Sequence, residues 1–508
     1  MYCKVNSLGL YGLNAFPVDV EVELFRTMPA FDIIGLADIV VRESRDRIKA
    51  ALRSCGIMFP EGKVTVNLAP ADTKKSGSMH DLAIFAAIAL AAGGIPAVPE
   101  KAAFIGELAL NGDLRGINGV LPMVLLAKKE GFTRVFVPEE NSYEASVVSG
   151  IEVYGVSNVV RLIDFLNGNA AALTAKEQYP VKAEDCFDGL DFSDVMGQAA
   201  AKKALEYAAA GGHNVLLIGS PGSGKSMLAK RVPSILPAMT FEESIETTNI
   251  HSVAGILNKD TPLVTVRPFR SPHHTISTAG LAGGGSIPRP GEISLAHNGL
   301  LFLDELAEFS RPTLEILRQP LEDRTVTISR AAGTISYPCS FMVIAAMNPC
   351  PCGYYGHPKR ECRCSKKQVS AYLSRISGPL LDRFDIHCEV APVEYDQISS
   401  KSKAESSAAI RERVRRAREI QAERFKGTDI ICNARITSSL LKEVCPTSAE
   451  ADEMFRSVFD RMGLSARTHD RILKVARTIA DMDGSEIIGK THIAKAVQYR
   501  SLDRKYWG

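Results

Sequence analysis

An eight-residue, glycine-rich segment constrains the fold more than any other feature of this sequence. It reads GSPGSGKS from Gly219 to Ser226 and fits the pattern G-x-x-x-x-G-K-[S/T] without a mismatch. The apolar run NVLLI precedes it, and a helix-forming stretch follows from Lys225. A strand, a tight glycine loop and a helix in this order surround a phosphate with backbone N–H groups. The sequence therefore predicts an α/β nucleotide-binding core.

The whole loop is expected to contact the phosphates of ATP. Glycines permit both the tight turn and the close approach of the backbone to the anion. Lys225 is expected to reach the β- and γ-phosphates, and Ser226 to ligate Mg²⁺. A Gly/Ser-rich turn that matches by chance is the alternative, and the flanking strand and helix argue against it. The loop residues are Gly219, Ser220, Pro221, Gly222, Ser223, Gly224, Lys225 and Ser226.

A second apolar strand, LLFL, ends in two acidic residues about eighty positions after the loop. Asp304 at the end of this strand is expected to hold the metal, and Glu305 to activate the attacking water. Asn348 follows another apolar strand, FMVIAAM, and is placed to polarise the same water. Asn348 could instead be a turn-forming residue before Pro349.

Length and patterning divide the chain into several parts. A chain of 508 residues suggests about two to four domains. Residues 1–166 alternate short β-branched runs with helices, and 167–191 have the mixed polar composition of a linker. Residues 192–395 contain the α/β core, and residues 396–508 have a helical pattern. We expect a smaller helical domain there.

The charge of the whole chain gives no signal for a nucleic-acid or membrane partner, because the net charge is only +2. Any surface that binds such a partner must therefore be a local patch. The longest apolar stretch, Leu82–Ala92, is too short to cross a bilayer, and the N-terminus lacks the pattern of a signal peptide. We expect a cytoplasmic protein.

Several long motifs together resemble the YifB/ComM family of magnesium-chelatase-like AAA+ ATPases. This resemblance covers essentially the whole chain and implies an AAA+ P-loop core with a helical lid. It implies a ring, a hexamer in the family, that moves on DNA as a helicase and drives branch migration in recombination or natural transformation. Relatives include the magnesium-chelatase motor subunit and the replicative MCM helicases. The motifs are FRSPHHTIS (269–277), GGGSIPRPGEISLAHNGLLFLDE (283–305), LRQPLEDRTVTISRA (317–331), AAMNPCPCG (345–353) and LLDRFD (380–385).

The resemblance also implies roles for four arginines. Arg383 in LLDRFD aligns with the arginine finger that enters a neighbour's ATP site, and Arg467 aligns with the second sensor arginine of the lid. Arg289, before the acidic strand, and Arg330, near the tip of an expected β-hairpin, are candidates for DNA phosphate contacts. Without the resemblance, each would be interpreted as an ordinary exposed arginine or a surface ion pair.

Four cysteines form two close pairs in the segment 350–364: Cys350, Cys352, Cys362 and Cys364. Two such pairs on a turn-rich loop can converge on a tetrahedral thiolate site for structural Zn²⁺, although C-x-C is shorter than the usual spacing. Redox disulfides and unliganded thiols are the alternatives. His357 could replace one cysteine as a ligand. Because the segment follows Asn348, a metal there would brace that residue.

The N-terminal region resembles the proteolytic domain of Lon, which has an α+β fold like domain 2 of ribosomal protein S5. The resemblance lies in residues 67–81 and 104–141. The protease needs a Ser–Lys dyad, but Met79 occupies the aligned serine position, and residues 119–123 contain no lysine. We expect a non-proteolytic domain that binds a substrate or partner.

Three functions are compatible with these motifs to different degrees. The leading one is an ATP-driven DNA translocase. A motor subunit that remodels a protein or a metal chelatase would share the whole ATP site, and an ATP-dependent protease is disfavoured by the missing dyad.

Overall fold

The computed structural model describes residues 1–180, 189–258, 261–285, 288–330, 333–392 and 404–507. They form two compact units. Unit 1 comprises residues 1–183, 241–264 and 329–337, and unit 2 comprises residues 184–240, 265–328 and 338–508. No helix among the described residues is long and apolar enough to span a bilayer.

The described strands are β1 (Tyr2–Tyr11), β2 (Asn14–Phe25), β3 (Ala30–Ile34), β4 (Lys63–Ala69), β5 (Ala102–Phe104), β6 (Glu107–Leu108), β7 (Leu114–Arg115), β8 (Arg134–Pro138), β9 (Glu152–Val156), β10 (Val215–Gly219), β11 (Phe269–Arg270), β12 (Gly283–Gly284), β13 (Arg289–Pro290), β14 (Leu300–Leu303), β15 (Thr325–Arg330), β16 (Gly333–Pro338), β17 (Met342–Met347) and β18 (Ile386–Val390).

The described helices are α1 (Ile39–Ser54), α2 (Asp81–Ala91), α3 (Val120–Lys129), α4 (Ser142–Ala145), α5 (Val159–Leu166), α6 (Ala199–Gly211), α7 (Lys225–Arg231), α8 (Phe241–Ala254), α9 (Thr278–Ala282), α10 (Glu292–Leu295), α11 (Arg311–Ile316), α12 (Arg318–Asp323), α13 (Lys366–Leu373), α14 (Gly378–Leu381), α15 (Ser407–Arg424), α16 (Leu441–Val444), α17 (Ala449–Met462), α18 (Ala466–Met482), α19 (Lys490–Gln498) and α20 (Ser501–Tyr506).

Unit 1 is built on a seven-stranded mixed sheet in the order β3-β4-β2-β1-β5-β8-β9. Helix α2 is apolar on all sides, and all but one of its residues are buried, which explains why its sequence lacks an amphipathic period. Helix α8 comes from the middle of the chain and docks at the start of α3. There the backbone N–H of Gly119 donates to the carbonyl of Ser252, and the Ser252 hydroxyl donates to the carboxylate of Glu144.

Part of the segment expected to be a linker belongs to unit 1. Leu173 is buried in the core of this unit, and Ala175 makes a β-bridge to Tyr154. The backbone N–H of Tyr179 donates to the carbonyl of Ser146. These contacts make residues 173–179 part of the packed unit rather than a free connection.

Unit 2 is built on a five-stranded parallel sheet in the order β11-β14-β17-β10-β18. Every residue of β10, β14 and β17 is buried, as expected for a parallel sheet that is covered on both faces. Because these strands are parallel and adjacent, the residues that follow them meet at one edge of the sheet. Ligands of open α/β sheets bind at this edge.

The helices at the C-terminal end of the chain are tied to this sheet through Asp385, just before β18. Its carboxylate accepts hydrogen bonds from the backbone N–H of Asn214 and from Arg471 of α18, and Nδ1 of His213 lies 3.4 Å away. Burial opposes ionisation of Asp385, but Arg471 and His213 outweigh it and hold the pKa of this carboxyl well below its ordinary value. The ion pair therefore joins the lid helix to the end of the sheet.

Candidate nucleotide site

The glycine loop lies where the sequence predicts it, between β10 and α7. Gly224 precedes α7 with φ +92°, a left-handed conformation that favours glycine. Lys225 is the first residue of the helix, so its side chain and the free N–H groups of the helix face the same space. The local order of strand, turn and helix is therefore that of a phosphate-binding loop.

The ammonium of Lys225 is held inside the loop. Its Nζ donates to the carbonyls of Gly219 at 2.8 Å and Ser220 at 3.0 Å, and to Oδ1 of Asn348 at 3.2 Å. Burial lowers the pKa of Lys225, and the nearby carboxylates of Asp304 and Glu305 oppose this shift. The ammonium of Lys225 is thus a buried cation at the centre of the loop, where it could bind a phosphate.

The acidic pair lies beside the loop. The hydroxyl of Ser226 donates to Oδ2 of Asp304 at 2.7 Å, which brings together the two groups expected at the Mg²⁺. The donor set, a hydroxyl and a carboxylate beside the loop, suits Mg²⁺ that is also bound to phosphate oxygens. Glu305 follows with φ +53°, an uncommon conformation for a residue with a side chain. The chain therefore turns at Glu305, two residues after the end of β14.

Asn348 completes the set because β17 lies between β14 and β10 in the sheet. The side chain that follows β17 therefore lies between the acidic pair and the loop. All the predicted residues from Pro221 to Ser226, together with Asp304, Glu305 and Asn348, line one cavity of about 390 Å³. The structure thus brings together groups that could bind the phosphates, the metal and the attacking water of a nucleoside triphosphate.

Arg383 lies outside this cavity and is engaged within its own chain. Its side chain is only 7% exposed. The guanidinium donates to the carbonyls of Arg318 and Pro379, and it pairs with Glu322 at 2.5 Å. Glu322 itself is half exposed, so this ion pair lies at the surface of unit 2.

Arg467 is exposed near the start of α18. The family resemblance implies a sensor role for Arg467 and none for Arg471, one turn later, whose ion pair with Asp385 connects α18 to the sheet. The (i, i+4) spacing of these arginines places both on one side of the helix. That spacing was the available signal for Arg471, but its partner could be identified only in the folded chain.

The four cysteines of the segment 350–364 converge, with all four sulfur atoms within 4.8 Å of one another. Sγ of Cys350 lies 3.4 Å from Cys352 and 3.7 Å from Cys362. In contrast, Nδ1 of His357 accepts hydrogen bonds from two backbone N–H groups of its own turn, which leaves the sulfur atoms as the natural ligand set. Four thiolates at this separation fit a tetrahedral metal site.

The segment that carries the cysteine cluster packs on the phosphate loop through Gly353. Gly353 has φ +83°, and a Cβ atom there would lie 2.4 Å from Cδ of Pro221. Cys350 is fully buried and lies two residues after Asn348. The chain around the cluster therefore contacts the loop at Pro221, and it carries Asn348, which lines the cavity, two residues before Cys350.

The two arginines expected to contact DNA lie on two separate two-stranded sheets. Arg289 is exposed in β13, which pairs with β12 in a two-stranded sheet. The expected hairpin is confirmed as β15 and β16, and Arg330 ends β15, but its side chain lies outside the described residues.

The arginine-rich helix α15 is paired largely within the chain. Arg413 bonds to Glu206 and Glu405, Arg415 bonds to Glu412, and Arg424 bonds to Asp481. These pairs neutralise much of the positive charge that the sequence concentrates here. Such pairing within the chain is typical of a structural, solvated helix face.

In unit 1, the serine nearest to the aligned protease position is Ser78, one residue before Met79, and its hydroxyl donates to the carboxylate of Glu107 rather than to a lysine. The buried Lys75 donates to the carbonyl of Pro70. Residues 119–123 form the start of α3 and supply no basic side chain. The non-proteolytic character of this domain stays a prediction.

Comparison with known families gives matches along nearly the whole chain. The family described as magnesium chelatase, subunit ChlI, matches residues 191–398. Subunit ChlI of Mg-chelatase matches residues 20–141, and the C-terminal family of this subunit matches residues 404–500.

Among individual proteins, the chain is similar to competence protein ComM of Haemophilus influenzae, with 42% identity over 506 residues, which is 98% of this chain and 97% of that protein. It is also similar to the uncharacterized protein YifB of Escherichia coli, with 41% identity over 503 residues, which is 98% of this chain and 97% of that protein. A shorter similarity, 26% identity over 178 residues or 32% of each chain, links it to Lon protease 2 of Bacillus subtilis.

Proposed function

The chain belongs to the magnesium-chelatase-like AAA+ family of ComM and YifB, and from that premise we propose that it is a ring-forming DNA translocase driven by ATP. In this proposal six copies form the ring, which acts as a helicase in the cytoplasm and promotes branch migration during recombination or natural transformation. The similarity to a competence protein supports the role in transformation. The exposed Arg289, on a two-stranded sheet before the acidic strand, supports DNA contact through phosphates.

One observation carries the motor part of the proposal. The loop lysine, the metal-binding pair and the candidate water-activating groups all line a single cavity at the carboxyl edge of the parallel sheet. In the proposed mechanism Lys225 stabilises the β- and γ-phosphates, and Ser226 and Asp304 hold Mg²⁺. Glu305 takes a proton from the attacking water, and Asn348 orients it. Arg383 of a neighbouring copy and Arg467 of the lid add positive charge during phosphoryl transfer.

The DNA part is tested by measuring the ATPase rate with and without DNA. We expect forked, four-way or single-stranded DNA to raise the rate, and we expect the stimulation to fall as salt increases, because phosphate contacts release counterions. Fully paired duplex DNA of the same length is the control. An ATPase rate that does not respond to forked, four-way or single-stranded DNA would contradict the translocase and favour a protein-remodelling or chelatase-type motor.

We also propose that the cysteine cluster binds one structural Zn²⁺. Its four sulfur atoms are already gathered, and a closed set of thiolates is typical of structural zinc. The ion would hold the segment that carries Asn348 on one side and rests against Pro221 on the other.

Metal analysis of the reduced, purified protein is expected to find about one zinc per chain. Exchanging both Cys350 and Cys364 for serine should remove it, because two of four ligands are lost. A matched control is Cys55→Ser, since Cys55 is another half-buried free cysteine far along the chain from the cluster. If the wild-type protein contains no zinc, or if the double variant retains it, the zinc site is wrong.

A further inference from the structure

A histidine to which the sequence analysis assigned no role lies beside the proposed water-activating group. Nδ1 of His274 lies 3.2 Å from Oε2 of Glu305. The contact joins residues 31 positions apart in the chain. We propose that His274 is a positioning residue, which holds the carboxylate of Glu305 at the wall of the nucleotide cavity. The proposal rests on the assignment of Glu305 made above.

The sheet explains why these two residues meet. Strands β11 and β14 are parallel neighbours, with Phe269 opposite Leu300 and Arg270 opposite Leu301. The segments that follow the two strands therefore leave the sheet at the same edge. One of these segments carries His274 and the other carries Glu305.

The strand that precedes His274 is itself fixed. Arg270 donates from Nε and Nη2 to the two carboxylate oxygens of Glu292, each at 2.7 Å. A bidentate pair of this kind, with both side chains partly buried, restricts rotation more than a single contact does. The start of the segment that carries His274 is thus fixed at Arg270, four residues earlier.

The imidazole ring is held from two sides. It packs against His273, with ring centroids 4.1 Å apart, and it meets the edge of the buried Phe309 at 6.4 Å. His273 is in turn held by Thr275, whose Oγ1 lies 2.9 Å from its Nδ1. The ring of His274 is therefore restrained by two aromatic contacts and is only 29% exposed.

Glu305 needs such a support. Its side chain is 56% exposed, and its backbone has the left-handed φ of +53°, so local secondary structure does not restrain the carboxylate. A general base must lie within hydrogen-bond distance of the water that it activates. A contact that limits the carboxylate to the cavity wall raises the fraction of molecules in which this distance is met.

The test compares ATP hydrolysis and ATP binding by variants of the full chain, without DNA. We expect His274→Ala to lower kcat about 10- to 100-fold while KM and the Kd for ATP change little, because a misplaced catalytic group affects the chemical step. His274→Asn should recover much of the rate, since its amide can place an N–H group near the position of Nδ1. The matched control is His469→Ala, because His469 is also partly exposed and its Nδ1 lies 3.2 Å from an acidic oxygen, that of Asp470.

A second comparison separates positioning from a general structural role. In the Glu305→Gln background, His274→Ala should not change the residual rate, because the group that it positions is already disabled. An unchanged kcat for His274→Ala, or an equal loss in the Glu305→Gln background, would overturn the inference and leave the proposed ATPase intact. A wild-type chain that hydrolyses no ATP would overturn both.

Discussion

Replacing Lys225 with alanine is expected to abolish ATP hydrolysis and to weaken ATP binding by about 100-fold or more. The ammonium is the buried cation of the loop and makes three hydrogen bonds, two to loop carbonyls and one to the side chain of Asn348. A hydrogen bond to a charged group contributes about 1.5 to 3 kcal/mol, so the loss of two phosphate contacts corresponds to at least about two orders of magnitude in affinity. Binding of a fluorescent ATP analogue and phosphate release measure the two effects.

The same helix supplies the control. Lys230 is an exposed lysine five residues later in α7, so Lys230→Ala removes an equal charge without touching the cavity. We expect that variant to bind and hydrolyse ATP like the wild type. If Lys225→Ala retains wild-type affinity, the loop does not bind the nucleotide as assigned.

A mixture of two inactive variants is expected to recover activity. Arg383→Ala alone should be inactive if this arginine completes a neighbour's site, and Lys225→Ala alone lacks its own loop cation. In rings of equal parts, about one quarter of the head-to-tail interfaces pair an intact loop with an intact arginine. The ATPase rate across mixing ratios should therefore rise and then fall, with a maximum near equal amounts.

Glu305→Gln provides the matched control for mixing. Glu305 and Lys225 line the same cavity of one chain, so each mixed interface still lacks one of them. A mixture of Lys225→Ala with Glu305→Gln should stay inactive at every ratio. If Lys225→Ala and Arg383→Ala assemble together and also stay inactive, Arg383 does not act on a neighbour. Assembly in this proposal also requires release of the ion pair between Arg383 and Glu322.

The local parts of the site could be predicted from the sequence. The phosphate loop is a contiguous pattern with its strand and helix directly attached, so its residues specify its shape without distant contacts. Asp304 and Asn348 were predicted because each follows an apolar strand, and the parallel sheet brings such positions together. Helix α18 lies within the predicted helical region 396–508, and its strong amphipathic period is a signal that the sequence alone carries.

Contacts between distant segments could not be predicted in this way. His274 and Glu305 meet only because β11 pairs with β14, and the two-residue strand β11 carries almost no periodic signal. Asp385 and Arg471 are 86 residues apart, so nothing local in either segment indicates the other. Strand β1 was also missed, because its polar Asn6 and Ser7 and its Gly9 interrupt the pattern of a strand.

Unit 1 is built from three separate stretches of the chain, and this has a consequence for synthesis on the ribosome. Proteins emerge N-terminus first, and domains made of one continuous stretch can fold as soon as they leave the exit tunnel. Unit 1 cannot be completed in that way, because α8 and residues 329–337 are made after the phosphate loop. Leu263 is part of its buried core, so an early nascent chain lacks one of its core side chains. The nucleotide-binding loop therefore emerges before the N-terminal unit can finish folding, and a cut before residue 337 would leave both units incomplete.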